Sequence, residues 1–590
     1  MSQVTRLFDF PYYQLNTFPL EKAIVSKKNG IWRGHSTQEY INLANSFSKG
    51  LIELGIKKGE KVALITSNNR TEWNICDIGV LQTGALTVPI YPTISAEDYQ
   101  FILEHSEASY CIVSDQVIYD KLVAVKHQLP NIKEVYSFDS IAGCKNWEEI
   151  IELGKSDKHN DELERLKQNV TSQDDATIIY TSGTTGRPKG VLLTHENIVS
   201  NVLMSFKRVP LSLGRDVALS FLPCCHIFER MLLYLYQYCG ISIYYAESIE
   251  TISDNLKEVK PHVMTVVPRL VEKVYDKIYA KGDDLTGFKK NLFYWTIELG
   301  EKYEAYHNSF LYSLKLWVAR KLVFSKWHEG LGGNLKLMVS GSAPLQSRLA
   351  RIFGAAGIPI MEGYGLTETS PVISVNDQRN GGLKFGTVGK ILDGVEVKIA
   401  EDGEILVKGP NVTKGYYKEP EKTAEAFSDG YFCTGDIGEI DAQGFLKITD
   451  RKKEMLKTSG GKYVAPQVLE NAIKQSHFIE QIMVIGDGEK MPAAFIQPNY
   501  EFVREWAKRK KINLGASNQD VCSNEKVIAR IQKELDAINE RFGKWEQIKK
   551  FELTPTVWSI DTGELTPTLK LKRKVIKEKY QDLYDKIYKN

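Results

Sequence analysis

Residues 180–190 read Tyr-Thr-Ser-Gly-Thr-Thr-Gly-Arg-Pro-Lys-Gly, a run of hydroxyls and glycines that ends in one cation. The apolar stretch from Ala176 to Tyr180 predicts a buried strand before it. A polar loop leaving a strand in an α/β protein is a common phosphate site, because glycines let backbone N–H groups approach the ligand and hydroxyls add donors. Lys189 adds a charge that can reach a terminal phosphate. The candidate phosphate ligands are Thr181, Ser182, Gly183, Thr184, Thr185, Gly186 and Lys189.

Two other interpretations of this loop compete with that one. A Walker-type loop needs Gly-Lys followed by Ser or Thr at the start of a helix. Here Lys189 lies between Pro188 and Gly190, so no hydroxyl follows it to hold magnesium. The sequence therefore favours a mobile flap over a triphosphate rather than a rigid cradle. A plain surface turn stays open for the loop taken alone.

The bulk properties bound the class of protein. A chain of 590 residues is too long for one core, so two or more domains are expected. A hydrophobic content of 43% and a charged content of 25% are typical of globular proteins, and a net charge of +2 indicates no nucleic-acid partner. Eight scattered cysteines without a Cys-x-x-Cys pair indicate reduced thiols and a cytoplasmic location. We expect neither a signal peptide nor a membrane-spanning helix.

Strand and helix patterns alternate along the first part of the chain, which predicts an α/β fold with mostly parallel sheets and helices on their faces. A hairpin pattern near residue 400 predicts a β-subdomain, and a small α+β domain follows. The expected boundary separates an N-terminal domain, residues 1–450, from a mobile C-terminal domain, residues 451–590. The predicted early elements are strands 61–66, 87–90 and 109–113 and helices 71–83 and 96–105.

Three further segments carry candidate chemistry. His226 follows a predicted strand, where substrate groups gather in open sheets, although a histidine that caps the next helix explains it equally well. Small residues at 340–344 would let a flat base lie against the backbone. In Glu362-Gly-Tyr-Gly-Leu-Thr-Glu-Thr369, Tyr364 can stack on adenine, Thr367 can bond a phosphate oxygen, and Glu368 can hold Mg²⁺.

Residues 281–333 form a long segment of helical pattern. Apolar residues recur at helical spacing with lysines and arginines between them. One interpretation is an amphipathic segment on a membrane surface. A helical hairpin packed on the domain, with a solvated basic face, is favoured over it. The apolar positions are Leu311, Leu314, Trp317, Val318, Leu322 and Trp327.

The loop at 180–190 together with the run at 362–369 resembles the adenylate-forming (AMP-binding) superfamily, which includes acyl-CoA synthetases, peptide-synthetase adenylation domains and luciferases. The resemblance covers nearly all of residues 30–580. It implies ATP and Mg²⁺, with His226 near the acyl carboxylate and Glu368 as the metal ligand. The further nucleotide-binding residues that it implies are Gly341, Ser342, Ala343, Glu362, Gly363, Tyr364, Gly365, Asp436 and Arg451.

The C-terminal part of the resemblance supplies the remaining residues. The family signature Thr-x-Lys-x-x-Arg places the catalytic lysine at Lys570, although Leu569 stands where most of the superfamily has glycine. The form Thr-Pro-Thr-x-Lys-x-Lys-Arg resembles the long-chain branch. The resemblance also implies that Lys453 lies at a hinge and that the stretch from Lys457 through Gly460 and Gly461 lines the site of the second step.

The implied function is a long-chain fatty acid–CoA ligase that forms acyl-CoA, AMP and diphosphate from a long-chain fatty acid, ATP and coenzyme A. The runner-up is a fatty acyl-AMP ligase that loads a carrier protein. A catalytically silent lipid-binding protein is the third alternative, and the intact Lys189, Glu368, Asp436 and Lys570 speak against it. The sequence leaves open a peripheral contact with a membrane and a homodimer.

Overall fold

A computed structural model describes residues 4–181, 187–379, 381–560, 562–566 and 570–589. The chain divides into two compact units. The first unit comprises residues 1–397, 407–433 and 442–446, and the second unit comprises residues 398–406, 434–441 and 447–590.

The first unit contains a large sheet that is mostly parallel. Within the described residues it has nine strands, and antiparallel pairing is confined to its two ends. The register places Ser340 beside Glu362, so the segments after both strands start at one edge of the sheet. In sheet order the strands are Lys390–Ile391, Val372–Val375, Ile360–Gly365, Leu337–Ser340, Val263–Val266, Val217–Ser220, Ser242–Tyr245, Ile24–Lys28 and Ile31–His35.

A second sheet of the first unit has eight strands among the described residues. Its central strands are parallel, and antiparallel pairs join Asp175–Thr181 to Lys189–Thr194 and the latter to Gly415–Tyr416. The parallel sheets expected from the alternating pattern are therefore confirmed. The strands in order are Gly415–Tyr416, Lys189–Thr194, Asp175–Thr181, Leu86–Ile90, Lys61–Ile65, Ala108–Val113, Glu134–Ser137 and Lys145–Asn146.

Helices cover these sheets, and several begin at polar caps visible in the sequence. Thr194 accepts a hydrogen bond from the N–H of Asn197 and caps helix His195–Phe206. The α-helices of the first unit are Asp9–Thr17, Thr37–Glu53, Thr71–Gln82, Ala96–Ser106, Gln116–Lys126, Glu148–Leu153, Asn160–Asn169, His195–Phe206, Ile227–Tyr238, Ile252–Val259, Pro268–Asp283, Gly287–Glu301, Phe310–Ala319, Ser325–Gly330, Ser347–Ala356 and Pro420–Glu425.

A buried ion pair ties one of these helices to the eight-stranded sheet. The guanidinium of Arg230 has no solvent exposure, donates to Asp77 and to Thr87, and donates to Thr177 at 2.7 Å. Tyr234, one turn further along the same helix, also donates to Asp77. Because buried charges are tolerated only when they are paired and hydrogen-bonded, this network fixes the position of helix Ile227–Tyr238.

The segment at 281–333 is helical, as predicted, but its apolar positions do not share one environment. Trp327 is buried, whereas Leu311, Leu314 and Trp317 are exposed. A π-helical turn at Arg320–Phe324 separates them. A π-turn inserts an additional residue into the helix and rotates the residues after it, so a single helical period over the whole segment predicts the wrong face.

The second unit contains a three-stranded sheet, Ile479–Ile485, Ala493–Pro498 and Lys550–Leu553, and a hairpin, Leu456–Lys457 with Tyr463–Val464. The mixture of strands and helices expected for this part of the chain is present. The helices of this unit are Pro466–Ile473, Tyr500–Arg509, Asn518–Cys522, Glu525–Asn539, Arg573–Lys579 and Gln581–Tyr588.

Short antiparallel strands lie between residues 396 and 451 and contribute residues to both units. They include the hairpin strands predicted around residue 400. Their bounds are Glu396–Ile399, Glu404–Lys408, Phe427–Ser428, Tyr431–Ile440 and Leu446–Arg451. Among the residues that the structure describes, no helix is both long and apolar enough to cross a membrane.

Candidate active site

The two ends of the predicted phosphate loop lie side by side. Thr181, the last residue of its strand, pairs with Lys189, the first residue of the next strand. A Cβ at Gly190 would lie 2.9 Å from Cγ2 of Ile178 and 3.2 Å from the ring of Tyr180, so a side chain there would force these neighbours to shift. Ser182, Gly183, Thr184, Thr185 and Gly186 lie outside the described residues. Backbone pairing thus closes the loop and sets Lys189 at its mouth.

Glu368 and Lys189, at the end of this loop, both contact Tyr416, a residue that the sequence motifs do not include. The hydroxyl of Tyr416 donates to Oε1 of Glu368 at 3.0 Å, and Nζ of Lys189 lies 4.8 Å from the centre of the Tyr416 ring. Burial, followed by the charge of Glu368, raises the pKa of Tyr416 and keeps its proton in place. In sequence, Tyr416 and Tyr417 are adjacent tyrosines in a short polar stretch that lies outside the motifs described above.

The segment predicted to receive the base lies directly after strand Leu337–Ser340. Gly341 is buried, and a Cβ there would lie 3.1 Å from the ring of Phe228, so a side chain would press on that ring. Ser342 adopts a left-handed backbone with φ of 69°, and Ala343 is exposed. The close contact with Phe228 brings this segment against the first turn of the helix that His226 caps.

The neighbouring strand Ile360–Gly365 carries Glu362, Gly363, Tyr364 and Gly365. At Gly365 a Cβ would lie 1.7 Å from the carbonyl oxygen of Pro371, which excludes every side chain. Tyr364 is half-buried, and Thr367 and Glu368 lie in the short 3₁₀ turn after it. The strand end therefore presents Tyr364, Thr367 and Glu368 beside the segment at 341–343.

Glu362 contacts the protein itself. Its Oε1 accepts a hydrogen bond from the N–H of Leu345 at 3.0 Å, which secures the end of the segment at 341–345. Burial raises the pKa of this carboxyl from 4.5 to about 7. A nucleotide-binding role for Glu362 stays a prediction, and the contact seen here shapes the binding segment.

His226 caps helix Ile227–Tyr238, with Nδ1 accepting from the N–H of Phe228 at 3.2 Å. The capping alternative is thus correct, and a catalytic role stays a prediction. The loop before His226 is held by Asn69, which sequence reasoning missed. Nδ2 of Asn69 donates to Oγ of Ser220 at 2.9 Å and to the carbonyl of Leu222 at 2.7 Å.

The same loop rests on a buried carboxyl. Oγ of Ser220 donates to Glu229, which lies in the first turn of the helix. Burial raises the pKa of Glu229 from 4.5 to about 7. Asn69 also accepts a hydrogen bond from the N–H of Cys224. A chain of side-chain contacts therefore positions residues 220–226.

The second unit carries the remaining candidates. Nε of Arg451 lies 3.0 Å from Oδ1 of Asp436, and Asp436 is buried. These two residues, which the resemblance implies for nucleotide binding, are thus brought together. Lys453 and Lys457 are exposed, the latter on the edge of a tight turn that contains Gly460 and Gly461. Gly461 has a φ of 78°, which favours glycine.

Lys570 is hydrogen-bonded to Thr566. Thr566 donates its N–H to the carbonyl of Lys570 at 2.8 Å, and the N–H of Lys570 donates to Oγ1 of Thr566 at 3.0 Å. Residues 567–569 lie outside the described residues. Arg573 begins the next helix and pairs with Glu454 at 2.8 Å and with Glu470 at 2.7 Å. This arginine links the Lys570 segment to the stretch after Lys453.

Two protein families match successive parts of this chain. A family described as AMP-binding enzyme matches residues 13–417, and one described as AMP-binding enzyme C-terminal domain matches residues 453–590. Long-chain-fatty-acid–CoA ligase FadD15 of Mycobacterium bovis is 36% identical over 565 residues, 95% of this chain and 93% of that protein. Long-chain-fatty-acid–CoA ligase 5 of Rattus norvegicus is 32% identical over 96% of this chain and 85% of that protein.

A solved structure resembles the fold. The A domain of carboxylic acid reductase from Segniliparus rugosus, in complex with AMP and a co-purified carboxylic acid, has a TM-score of 0.75 at 20% identity. The match covers 100% of this chain and 94% of that one. At this identity the likeness concerns the fold alone.

The buried Glu362 predicts a stability that depends on pH. Its proton is held up to about pH 7 in the folded chain and lost near 4.5 in the unfolded chain, so stability falls as pH rises between these values. Glu362→Gln keeps an acceptor for the Leu345 N–H but cannot ionise, so the variant avoids this loss of stability. The loss amounts to about 3 kcal/mol, at ~1.4 kcal/mol per unit of pKa shift. Urea denaturation should show the variant more stable than wild type at pH 8, with a smaller gain at pH 5.

The exposed Glu104 provides the matched control for this substitution. Glu104→Gln should change the free energy of unfolding by the same small amount at both pH values. An equal gain for Glu362→Gln at pH 5 and pH 8 would show that Glu362 is charged in the folded protein.

Proposed function

We propose that this chain, which belongs to the AMP-binding enzyme family, is a long-chain fatty acid–CoA ligase. It is an ATP-dependent acid–thiol ligase that uses ATP and coenzyme A. The observation that carries the proposal is that Tyr416 contacts both charged residues. Its hydroxyl donates to Glu368, and its ring lies beside the ammonium of Lys189 at the end of the phosphate loop. The Lys189 cation, which can bind phosphates, and the Glu368 carboxylate, which can bind a metal ion, thus lie within reach of one nucleoside triphosphate.

In the proposed first step, a carboxylate oxygen of the fatty acid bonds to the α-phosphorus of ATP. The bond from that phosphorus to the bridging oxygen breaks, and diphosphate leaves. Lys189 and the loop residues hold the β- and γ-phosphates, while Thr367 bonds an α-phosphate oxygen. Lys570 offsets the charge that develops on the α-phosphorus, because preorganised cations stabilise such a transition state strongly. His226 lies near the acyl carboxylate.

The nucleotide itself is assigned to two groups of residues. Tyr364 stacks on adenine, and the small residues of the segment at 341–343 let the base lie against the backbone. The close packing at Gly341 and Gly365 supports this assignment, since side chains there would displace the neighbouring backbone or ring. Asp436, an acceptor of two hydroxyls, and its partner Arg451 contact ribose or phosphate.

Glu368 fits a Mg²⁺ ion. Among the described residues there is no cluster of three or more His, Cys, Asp or Glu that could hold a metal alone. Mg²⁺ in nucleotide sites takes one or two carboxylates and completes its shell with phosphates and water, so one oriented carboxylate is the expected donor set. When bound, the ion neutralises phosphate charge. Glu368 supplies the oxygen, and the Tyr416 hydroxyl orients it.

In the second step, the thiol of coenzyme A releases its proton to solvent and its sulfur bonds to the acyl carbon of the adenylate, while the bond from that carbon to the AMP oxygen breaks and AMP leaves. Lys570 has no role in this step. We assign it to the turn formed by Lys457, Gly460 and Gly461, with Lys453 as the hinge residue that changes between steps. The exposure of these residues supports a site for a bulky second substrate.

Replacing the catalytic lysine should separate the two steps. Lys570→Ala removes the charge at the α-phosphorus and should slow acyl-adenylate formation by ~100-fold or more, about 3 kcal/mol of barrier. Thioester formation from supplied acyl-adenylate should be unchanged. Diphosphate release and acyl-CoA formation measure the two steps separately. The exposed Lys574 supplies the control, since Lys574→Ala should leave both unchanged, and equal loss of both steps in Lys570→Ala would contradict the role.

The substrate class is tested with carboxylic acids from acetate to C18, each with and without coenzyme A. A long-chain ligase should form AMP continuously only with coenzyme A, and the rate should rise toward the longer acids. Adenylate formation that passes to a carrier-protein phosphopantetheine and not to coenzyme A would identify the acyl-AMP ligase. Absence of any turnover would leave the lipid-binding alternative. A cytoplasmic location stays a prediction.

We also propose that this protein contacts a membrane surface through one helix face. Phe310, Leu311, Leu314 and Trp317, here named the outer face, lie opposite the buried Leu316 and Ala319 of helix Phe310–Ala319. Phe310 and Trp317 are 81% and 60% exposed.

Lysines border this outer face. Lys315 and Lys321 are exposed, and Lys321 lies 5.4 Å from the ring of Trp317. Aromatic and aliphatic side chains bordered by lysines suit the interface of an anionic bilayer, where long-chain acids reside. The charge of the lysines favours this partner over a second copy of the chain.

Charged residues on the outer face should weaken membrane contact. The double variant Leu314→Glu and Trp317→Glu should bind vesicles of phosphatidylcholine and phosphatidylglycerol about tenfold or more weakly in cosedimentation, since burial of one such side chain is worth about 1.5–3 kcal/mol. Val117→Glu, an exposed apolar site on another helix, is the control.

Sedimentation velocity of the wild type and the double variant tests the homodimer. A dimer lost only in the double variant would make the outer face a self-association surface instead.

A further inference from the structure

Tyr416 contacts both charged groups of the proposed nucleotide site, although it lies outside the sequence motifs that carry the family resemblance. Its hydroxyl donates to Oε1 of Glu368 at 3.0 Å, and its ring lies 4.8 Å from Nζ of Lys189. A phenol offers a hydrogen-bond donor at its edge and a negative potential on its face. One side chain therefore satisfies an anion and a cation at the same time.

The backbone of Tyr416 is held firmly by the phosphate-loop strand. Tyr416 pairs with Val191, and the N–H of Tyr417 donates to the carbonyl of Gly190 at 2.8 Å. The N–H of Tyr416 donates to Oγ1 of Thr423 at 2.9 Å. Because strand Lys189–Thr194 also begins with Lys189, the ring and the ammonium are mounted on adjacent strands of one sheet.

The glycine before Tyr416 further restricts the position of this strand. A Cβ at Gly415 would lie 2.3 Å from Cγ2 of Thr423, and the φ of Gly415 is 144°, so glycine is required there. Thr413 accepts the N–H of Gly415 at 3.1 Å. The tyrosine thus has little freedom to move away from the site.

The turn that carries Glu368 is secured by the same segment. The carbonyl of Glu368 accepts the N–H of Thr413 at 2.8 Å, and Nδ2 of Asn411 donates to the carbonyl of Thr369 at 2.8 Å. Residues 411–416 therefore hold both the backbone and the carboxylate of the Glu368 turn. Carboxylates that bind metal ions are commonly oriented by such hydrogen bonds, and losing one weakens metal affinity about 10–100-fold.

We propose that Tyr416 is a positioning residue of the adenylation step, whose hydroxyl orients the Glu368 carboxylate toward the divalent cation and whose ring holds the Lys189 ammonium beside it. This inference rests on the proposed function, since it takes Glu368 as the cation ligand and Lys189 as the phosphate ligand. Tyr416 acts through these two residues and touches no reacting atom. The two parts of the tyrosine have separable consequences, which two substitutions distinguish.

Tyr416→Phe keeps the ring and removes the hydroxyl. Binding of Mn²⁺, followed by electron paramagnetic resonance in the presence of α,β-methylene-ATP, should weaken about tenfold or more. The concentration of Mg²⁺ needed for half-maximal adenylation should rise by a similar factor. Affinity for the metal-free nucleotide analogue should be unchanged, because the ring still contacts Lys189.

Tyr416→Leu removes the hydroxyl and the ring, so affinity for the metal-free analogue should fall as well. The adjacent Tyr417 provides the control, since its hydroxyl contacts Glu107 at 3.3 Å, and Tyr417→Phe should leave metal and nucleotide affinity unchanged. Thioester formation from supplied acyl-adenylate should persist in all three variants, which shows that they are folded.

Glu368→Gln separates the failure of this inference from failure of the proposed function. If Glu368→Gln weakens Mn²⁺ binding and Tyr416→Phe does not, the positioning role is wrong and the proposed metal ligand stands. If Glu368→Gln leaves Mn²⁺ binding unchanged, the proposed metal site is wrong and the inference falls with it. Equal affinities for the metal-free analogue in Tyr416→Phe and Tyr416→Leu would overturn the role of the ring.

Discussion

The antiparallel pairing of strand Asp175–Thr181 with strand Lys189–Thr194 is the constraint on which the proposed site depends. It sets Thr181 beside Lys189 and so closes the loop between them. It also offers the far edge of strand Lys189–Thr194 to Gly415 and Tyr416. A parallel sheet ends its strands at one edge, but only an antiparallel pair can return the chain to the same point within a short loop.

Close backbone packing then limits which residues the site can contain. Gly190, Gly341, Gly365 and Gly415 each lie where a Cβ would press on a neighbouring ring, side chain or carbonyl. These glycines let neighbouring chain segments pack closely against each other. Elsewhere in the first unit, the buried pair of Arg230 with Asp77 fixes a helix whose first turn carries Phe228.

Buried carboxyls form a third feature of the first unit. Glu229 supports the loop before His226 through Ser220, and Glu362 supports the segment at 341–345 through Leu345. Burial raises the pKa of both to about 7. In the second unit the comparable group is a half-buried cation. Arg573 pairs with Glu454 and Glu470 and so joins two segments of predicted function. Polar contacts beneath the surface thus hold the loops that carry the predicted site residues.

The α/β class, the parallel sheets, most element positions and the family follow from the residues alone, because hydrophobic periodicity and short glycine-rich motifs are local properties. Only the tertiary structure brought Tyr416 to Glu368 and Lys189, and Asn69 to the loop before His226, since these contacts join residues far apart in the chain. It also divided the apolar positions of residues 310–327 into a buried and an exposed set. A π-turn at Arg320–Phe324 changes the helical period there, and the spacing of the apolar residues does not indicate its position.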